Sequence, residues 1–268
     1  MLRKLLKYEF LATARVFGVC YLGLAALSIL AGLSMKFPAT SNNIVGALML
    51  MAYVCMLAAV MLFTFLTIIR RFYKNLLGGE GYLMNTLPVR SWQLVTSKLI
   101  ASLAWSAASL VMAALSFALL TIAAFPTFSL FWKDLATVWD GLTYLPAYFE
   151  LTTGFSFWLF LLEVLLLLLV DGISSICLLY TSCMVGHQFR RWRVAASIIV
   201  YFLISFLVSA LLDVLPGNAS AQQIFALADN ISLAVNIQFW RLILVDVVLG
   251  TIYFAVTAYL LEKRLNLE

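Results

Sequence analysis

The stretch IVGALMLMAYVCMLAAVMLFTFLTII, residues 44–69, contains no charged side chain. A helix of about 20 mainly apolar residues is long enough to cross the hydrocarbon core of a bilayer. This stretch exceeds that length without interruption. It therefore predicts a transmembrane helix.

The rest of the chain has the same apolar character. Of its 268 residues, 65% are hydrophobic and 11% are charged, whereas a soluble domain has about 45–50% and about 25%. The mean hydropathy is +1.05. Because a soluble core of this size cannot bury so much apolar surface, we expect the solvent to be lipid. This composition excludes a soluble enzyme, a nucleic-acid binder, a disordered chain and a secreted disulfide scaffold.

Six segments are long and apolar enough to span the membrane. They cover about residues 16–35, 44–69, 99–125, 151–184, 194–212 and 242–261. An odd number of spans would require one of them to be re-entrant, and the long fourth segment is then the one most open to a break, at Asp171-Gly172. The sequence thus predicts one all-α integral membrane domain over residues 1–268.

The basic residues indicate the orientation, since lysine and arginine are retained on the cytoplasmic side. With six alternating spans, fourteen of the seventeen fall on one side, together with both termini. The three on the opposite side are Lys36, Lys133 and Arg241. We therefore predict that both termini are cytoplasmic.

Two connections are predicted to form amphipathic helices at the membrane surface. Residues 2–14 place leucines and Phe10 on one face and basic residues on the other. The outer connection after the third span has an apolar face and a polar one. Its apolar residues are Phe128, Phe131, Trp132, Leu135, Trp139 and Leu142, and its polar ones are Lys133, Asp134, Thr137 and Asp140. In the last outer connection, residues 213–241, we expect short interfacial or re-entrant pieces.

The cytoplasmic connection RRFYKNLLGGEGYLMNTLPVRSWQLVTSK, residues 70–98, is longer than a turn between two spans requires. It holds a glycine-rich piece at 78–81, a short apolar run at 82–87 and then Pro88, which stops a helix. This pattern predicts a short amphipathic helix below the membrane, placed for contact with another protein. A simple interfacial hairpin is the alternative. The glycines lack the GxxxxGK[ST] pattern of a P-loop, so we expect no ATP site in this chain.

Together, the topology and this connection resemble an ABC type-2 transporter permease. In that family the pattern Glu-x-Gly…(Leu/Thr)-Pro-(Val/Ile)-(Ser/Arg)…(Gly/Ser)-Lys precedes the third span and forms a coupling helix on a separate ATPase subunit. The matching residues are Glu80, Gly81, Leu87, Pro88, Val89 and Lys98. The topology match covers the whole chain, and the motif covers only residues 70–98. An acid at Asp171 departs from the apolar or small residue expected there.

The resemblance implies a multi-pass permease of the bacterial cytoplasmic membrane that is not itself an enzyme. It would export a hydrophobic or amphipathic substrate, such as an antimicrobial peptide, a drug or a lipid, by alternating access. The chain would need no cofactor, because ATP and Mg²⁺ bind to the partner ATPase, and it would pair with a second, identical or different, permease chain. The implied ATPase-coupling residues are Gly78, Glu80, Gly81, Tyr82, Leu83, Leu87 and Pro88, followed by His187, Gln188, Phe189 and Arg190 in a second connection. For His187 we expect a surface role and no metal.

Three acids lie inside predicted spans, at Glu163, Asp171 and Asp246. Such residues are costly in lipid, so they should face protein, a cation or water. Glu163 and Asp171 are about 80° apart around an ideal helix. The three acids are predicted to line a substrate path, or to serve internal polar packing or snorkel to the outer surface; a proton relay is the remaining alternative.

Two other functions stay open at this point. A proton- or ion-coupled secondary transporter would use the same three acids, although the internal repeat usual in such proteins is missing. An intramembrane enzyme ranks last, since the chain has no HExxH and no GxSxG motif. The first half of the third span is rich in alanine and serine, which predicts close helix packing there.

Overall fold

The computed structural model describes residues 2–36, 44–77, 91–125, 128–189, 191–214 and 231–263. Within these residues the chain is helical and has no β-strand, which confirms the predicted all-α fold. Seven α-helices follow one another, and a π-helical turn, Tyr73–Leu77, continues the second. They are α1 Leu2–Lys36, α2 Ile44–Phe72, α3 Ser91–Ala124, α4 Phe128–Thr153, α5 Phe157–His187, α6 Arg193–Val214 and α7 Ile231–Lys263.

Six of these helices are long and apolar enough to cross a membrane, namely all except α4. The predicted number of spans is therefore confirmed, and the chain is a multi-pass membrane protein. Helix α4 occupies the connection for which an amphipathic helix was predicted. The predicted N-terminal helix and the first span form one continuous helix, α1.

The fourth span is continuous at the place where a break was considered, and it differs from the prediction at its start. Helix α5 runs without a break through Asp171-Gly172, because in lipid the backbone polar groups are satisfied only by staying helical. The span begins at Phe157 and not near 151, since α4 continues to Thr153. Gly154, with φ of 68°, separates the two helices by adopting a conformation that glycine tolerates best.

The first compact unit comprises Met1–Arg70 and Ile100–Leu142. Its core is apolar and close-packed, and a Cβ on Gly32 of α1 would overlap the backbone of Leu120 in α3. Ser109, in the small-residue half of α3, is buried and lies 2.8 Å from both the Tyr21 and the Thr64 hydroxyl oxygens. The side chain of Ser109 thus lies between α1 and α2. The core cluster consists of Leu24, Ala31, Tyr53, Val60 and Leu120.

The second compact unit comprises Arg71–Leu99 and Thr143–Glu268. Its central helix is α5, which packs against α6, α7 and the π-helical turn. A glycine permits a close approach at two of these contacts: Gly186 lies against Ser197 of α6, and Gly250 of α7 lies against Ser174. All three predicted intramembrane acids belong to this unit.

Candidate functional site

Helices α5 and α7 are joined by contacts at three depths. Glu163 meets Asn236 and Trp240, Ser174 meets Gly250, and Thr181 meets Tyr253 and Thr257. The hydrogen-bonded pairs are separated by 72 to 77 residues along the chain. Because this separation hardly changes with depth, the two helices run parallel and in register. Parallel packing is what the fourth and sixth of six alternating spans require.

Glu163 makes the first of these three contacts, near the start of α5. Its Oε1 accepts one hydrogen bond of 2.9 Å from Asn236 Nδ2 and another of 2.9 Å from Trp240 Nε1. The residue is only 6% exposed. Two neutral donors therefore hold the carboxylate between the helices, an arrangement that corresponds to internal polar packing, one of the alternatives that the sequence left open.

Asp171 and Asp246 form a second polar level, separate from Glu163. By helical rise, Asp171 lies about 21 Å from Phe157 and about 24 Å from His187, which is mid-depth in a span of this length. Its side chain is exposed on the unit, and Asp246, which the contact of Ser174 with Gly250 places at about the same depth on α7, is half-buried. An exposed charge at this depth costs about 2.5–3.5 kcal/mol in lipid. Asp171 and Asp246 therefore form a polar surface that water, a cation or another polypeptide would have to cover. Glu163 is not part of this surface.

Thr181 makes the last of these contacts along the chain, near the end of α5. Its Oγ1 lies 3.0 Å from the carbonyl oxygen of Tyr253 and 3.0 Å from Oγ1 of Thr257. Both threonines are buried. The contact ties the last third of α5 to α7, so a movement of one helix is resisted by the other.

Aromatic contacts attach the start of the connection between α2 and α3 to the end of α5. The ring of Phe72, the last residue of α2, stacks on Tyr180 with centroids 4.0 Å apart and planes 10° apart. One residue further, the Tyr73 ring meets the His187 ring edge to face at 5.7 Å. Leu76 in the π-helical turn is completely buried. The start of the connection is thus fixed on α5.

The far side of the same connection also belongs to the second unit. The first turns of α3 bury Leu94, Val95, Ser97 and Lys98, and residues up to Leu99 belong to the second unit. The predicted coupling residues between these flanks, Gly78 through Pro88, lie outside the described residues, and so does Arg190. In the second connection, His187 is half-buried while Gln188 and Phe189 are exposed.

Sequence reasoning missed the partners that organise this site. A single apolar sequence does not indicate that Phe72, Tyr180 and Thr181 make these contacts, because aromatic and threonine side chains are common in any span. A weak signal existed for the donors to Glu163. Asn236 and Trp240 are four residues apart and so share a helix face, and two donors on one face indicate a buried acceptor opposite.

No group of three or more His, Cys, Asp or Glu side chains is arranged to hold a metal ion in the part of the chain that the structure describes. Comparison with known proteins finds no match to a protein family, to a curated protein or to a solved structure. The functional argument therefore depends on the geometry of the second unit.

Proposed function

We propose that this chain is the membrane-spanning permease subunit of an ATP-driven ABC exporter that works as a dimer with two separate ATPase subunits. The observation that supports it is the meeting of two connections at one end of α5. Both are expected to contact the ATPase, and they touch through the Tyr73 and His187 rings. A displacement of either connection would therefore be passed to the same helix.

In this proposal, α5 carries the displacement into the membrane. Phe72 and Tyr180 couple the start of the first connection to α5, and the contacts at Thr181, Ser174 and Glu163 make α7 follow. Alternating access then results from a rearrangement of packed helices. The ATP and Mg²⁺ that supply the free energy bind to the partner, and this chain contributes the mechanical response.

The proposed substrate path passes the Asp171–Asp246 surface. These acids lie at mid-depth and are not enclosed by their own unit, whereas Glu163 is occupied by its two donors. In a dimer, such a surface is suited to face the space between the two permease chains. The substrate class, a hydrophobic or amphipathic peptide, drug or lipid, comes from the family resemblance.

The direct test is co-expression of the chain with an ATPase encoded beside its gene, followed by purification in nanodiscs. Co-elution and ATP hydrolysis are measured for the wild type, for Glu80→Ala with Leu83→Ala, and for His187→Ala. The matched control is Thr137→Ala with Tyr144→Ala, two exposed positions on α4. We expect the first two variants to lose assembly or hydrolysis severalfold and the control to behave as the wild type. Absence of any complex with a folded wild-type chain would overturn the proposal.

The exposed carboxylate of Asp171, with Asp246 at about the same depth on α7, favours a second candidate, a proton- or ion-coupled secondary transporter. Such a protein needs titratable or cation-binding groups at mid-depth and no ATPase. It predicts transport by the chain alone in liposomes under a proton or sodium gradient, with loss of transport in Asp171→Asn. Gradient-independent transport that requires the ATPase would exclude it.

A further inference from the structure

We propose that α4 lies on the surface of the bilayer with one face inserted among the lipids. We further infer that burial of apolar side chains, and not attraction to anionic headgroups, holds it there. The proposal concerns a part of the chain that the exporter mechanism does not use, and it stands whether or not that mechanism is correct.

The first argument is the exposure of an amphipathic helix. Every residue from Trp132 to Leu145 is exposed, including large apolar side chains such as Trp139 at 66%. At about 100° per residue, these apolar side chains follow one another at spacings of three and four and so share one face. That face consists of Trp132, Leu135, Val138, Trp139, Leu142 and Leu145.

The second argument is the position of α4 between two spans. Helices α3 and α5 both qualify as membrane-crossing, and α4 does not. Because α4 links two spans and does not cross the membrane itself, it begins and ends at a membrane surface. Near its end α4 is held against α5, since the Phe149 ring lies 5.1 Å from Phe160 and 5.7 Å from Phe157.

The third argument identifies the occupant of the apolar face as lipid. The face is continuous with a membrane boundary, and it carries two tryptophans, which favour the level of the headgroups. The opposite face has Lys133 together with Asp134 and Asp140, so its formal charge is not positive. Surface helices that bind through anionic lipids are rich in lysine and arginine. This helix therefore fits a zwitterionic surface, engaged by its aromatic and aliphatic side chains.

The test places a fluorophore at single cysteines in the full chain. The four native cysteines are replaced by alanine, and the label is introduced at Leu135→Cys or Leu142→Cys on the apolar face. Matched controls are Thr137→Cys and Tyr144→Cys on the opposite face. Each protein is reconstituted in phosphatidylcholine vesicles, with and without phosphatidylglycerol. Quenching by a spin-labelled lipid and by aqueous iodide is then measured.

We expect severalfold stronger lipid quenching at 135 and 142 than at 137 and 144, and the reverse order for iodide. The pattern should be the same with and without phosphatidylglycerol, and at low and high salt. Equal iodide quenching at all four positions would place α4 in water and overturn the proposal. Protection of 135 and 142 from both quenchers would overturn it in favour of a protein occupant, such as a second copy. A pattern that appears only with phosphatidylglycerol would overturn the apolar mode of binding.

Discussion

The stacked rings of Phe72 and Tyr180, 4.0 Å apart and nearly parallel, join the end of α2 to the last third of α5. Both side chains are almost completely buried, and the π-helical turn begins directly after Phe72. Insertions of this kind in an α-helix occur frequently at functional sites. The stack therefore fixes the point where the connection between α2 and α3 leaves its span.

Phe72→Ala is expected to destabilise the protein strongly, because it removes a buried ring and leaves a cavity. Such a change lowers the free energy of unfolding by about 3–5 kcal/mol. Phe65→Ala is the matched control, since Phe65 lies on the same helix and is exposed. Thermal unfolding in nanodiscs should show a midpoint lower by about 5 °C or more for the first variant and little change for the second. Equal midpoints would contradict the packing described here.

Gly186→Ala should be poorly tolerated, because a Cβ at this position would overlap the backbone and side chain of Ser197. Gly141→Ala has open space around it in the exposed α4, and there alanine favours a helix by up to about 1 kcal/mol. We expect a lower thermal midpoint for the first variant and an unchanged or higher one for the second. The opposite order of thermal midpoints would show that α5 and α6 do not approach each other closely at Gly186.

Replacement of Glu163 separates the role of its shape from that of its charge. Glu163→Gln keeps an oxygen acceptor for Asn236 and Trp240, so stability should change little. Glu163→Ala leaves two donors without an acceptor, at a cost of about 1–3 kcal/mol. Thermal unfolding of both variants tests this, and equal losses would mean that the negative charge itself is needed.

Asp171→Leu should raise stability, because it removes an exposed carboxylate from mid-depth, and under the proposed function it should abolish transport. The gain is bounded by the insertion cost of such a residue, about 2.5–3.5 kcal/mol. Ser175→Leu, one turn further along α5 and also exposed, controls for added bulk on this face. Thermal unfolding is compared with export of a dye or peptide cargo. Normal transport by the Asp171 variant would remove this residue from the proposed path.

The six spans were predictable because length and apolar content alone decide whether a helix crosses a membrane. The boundary between α4 and α5 was not, since the apolar pattern continues through Leu151 and only the backbone of Gly154 ends the helix. The partners of Glu163 were also out of reach. A single sequence contains no information on which spans pack together, and its donors lie 73 and 77 residues further on.

The same limit applies to the candidate site. The basic and glycine-rich connection at 70–98 was evident from composition, as were the three acids. Glu163 is enclosed and Asp171 faces outward because of the side of α5 that packs against α7. Their separation of about 80° allowed this outcome without requiring it.

The constant register between α5 and α7 has a consequence for how this chain can vary in length. Deletion of one residue between Trp240 and Gly250 would advance the rest of α7 by about 1.5 Å and rotate it by about 100°. The Glu163 contacts would survive, but the Ser174–Gly250 approach and the Thr181–Thr257 contact would be lost together. Insertions and deletions in related sequences should therefore be excluded from this stretch of α7 and be found in the connections outside the two helices.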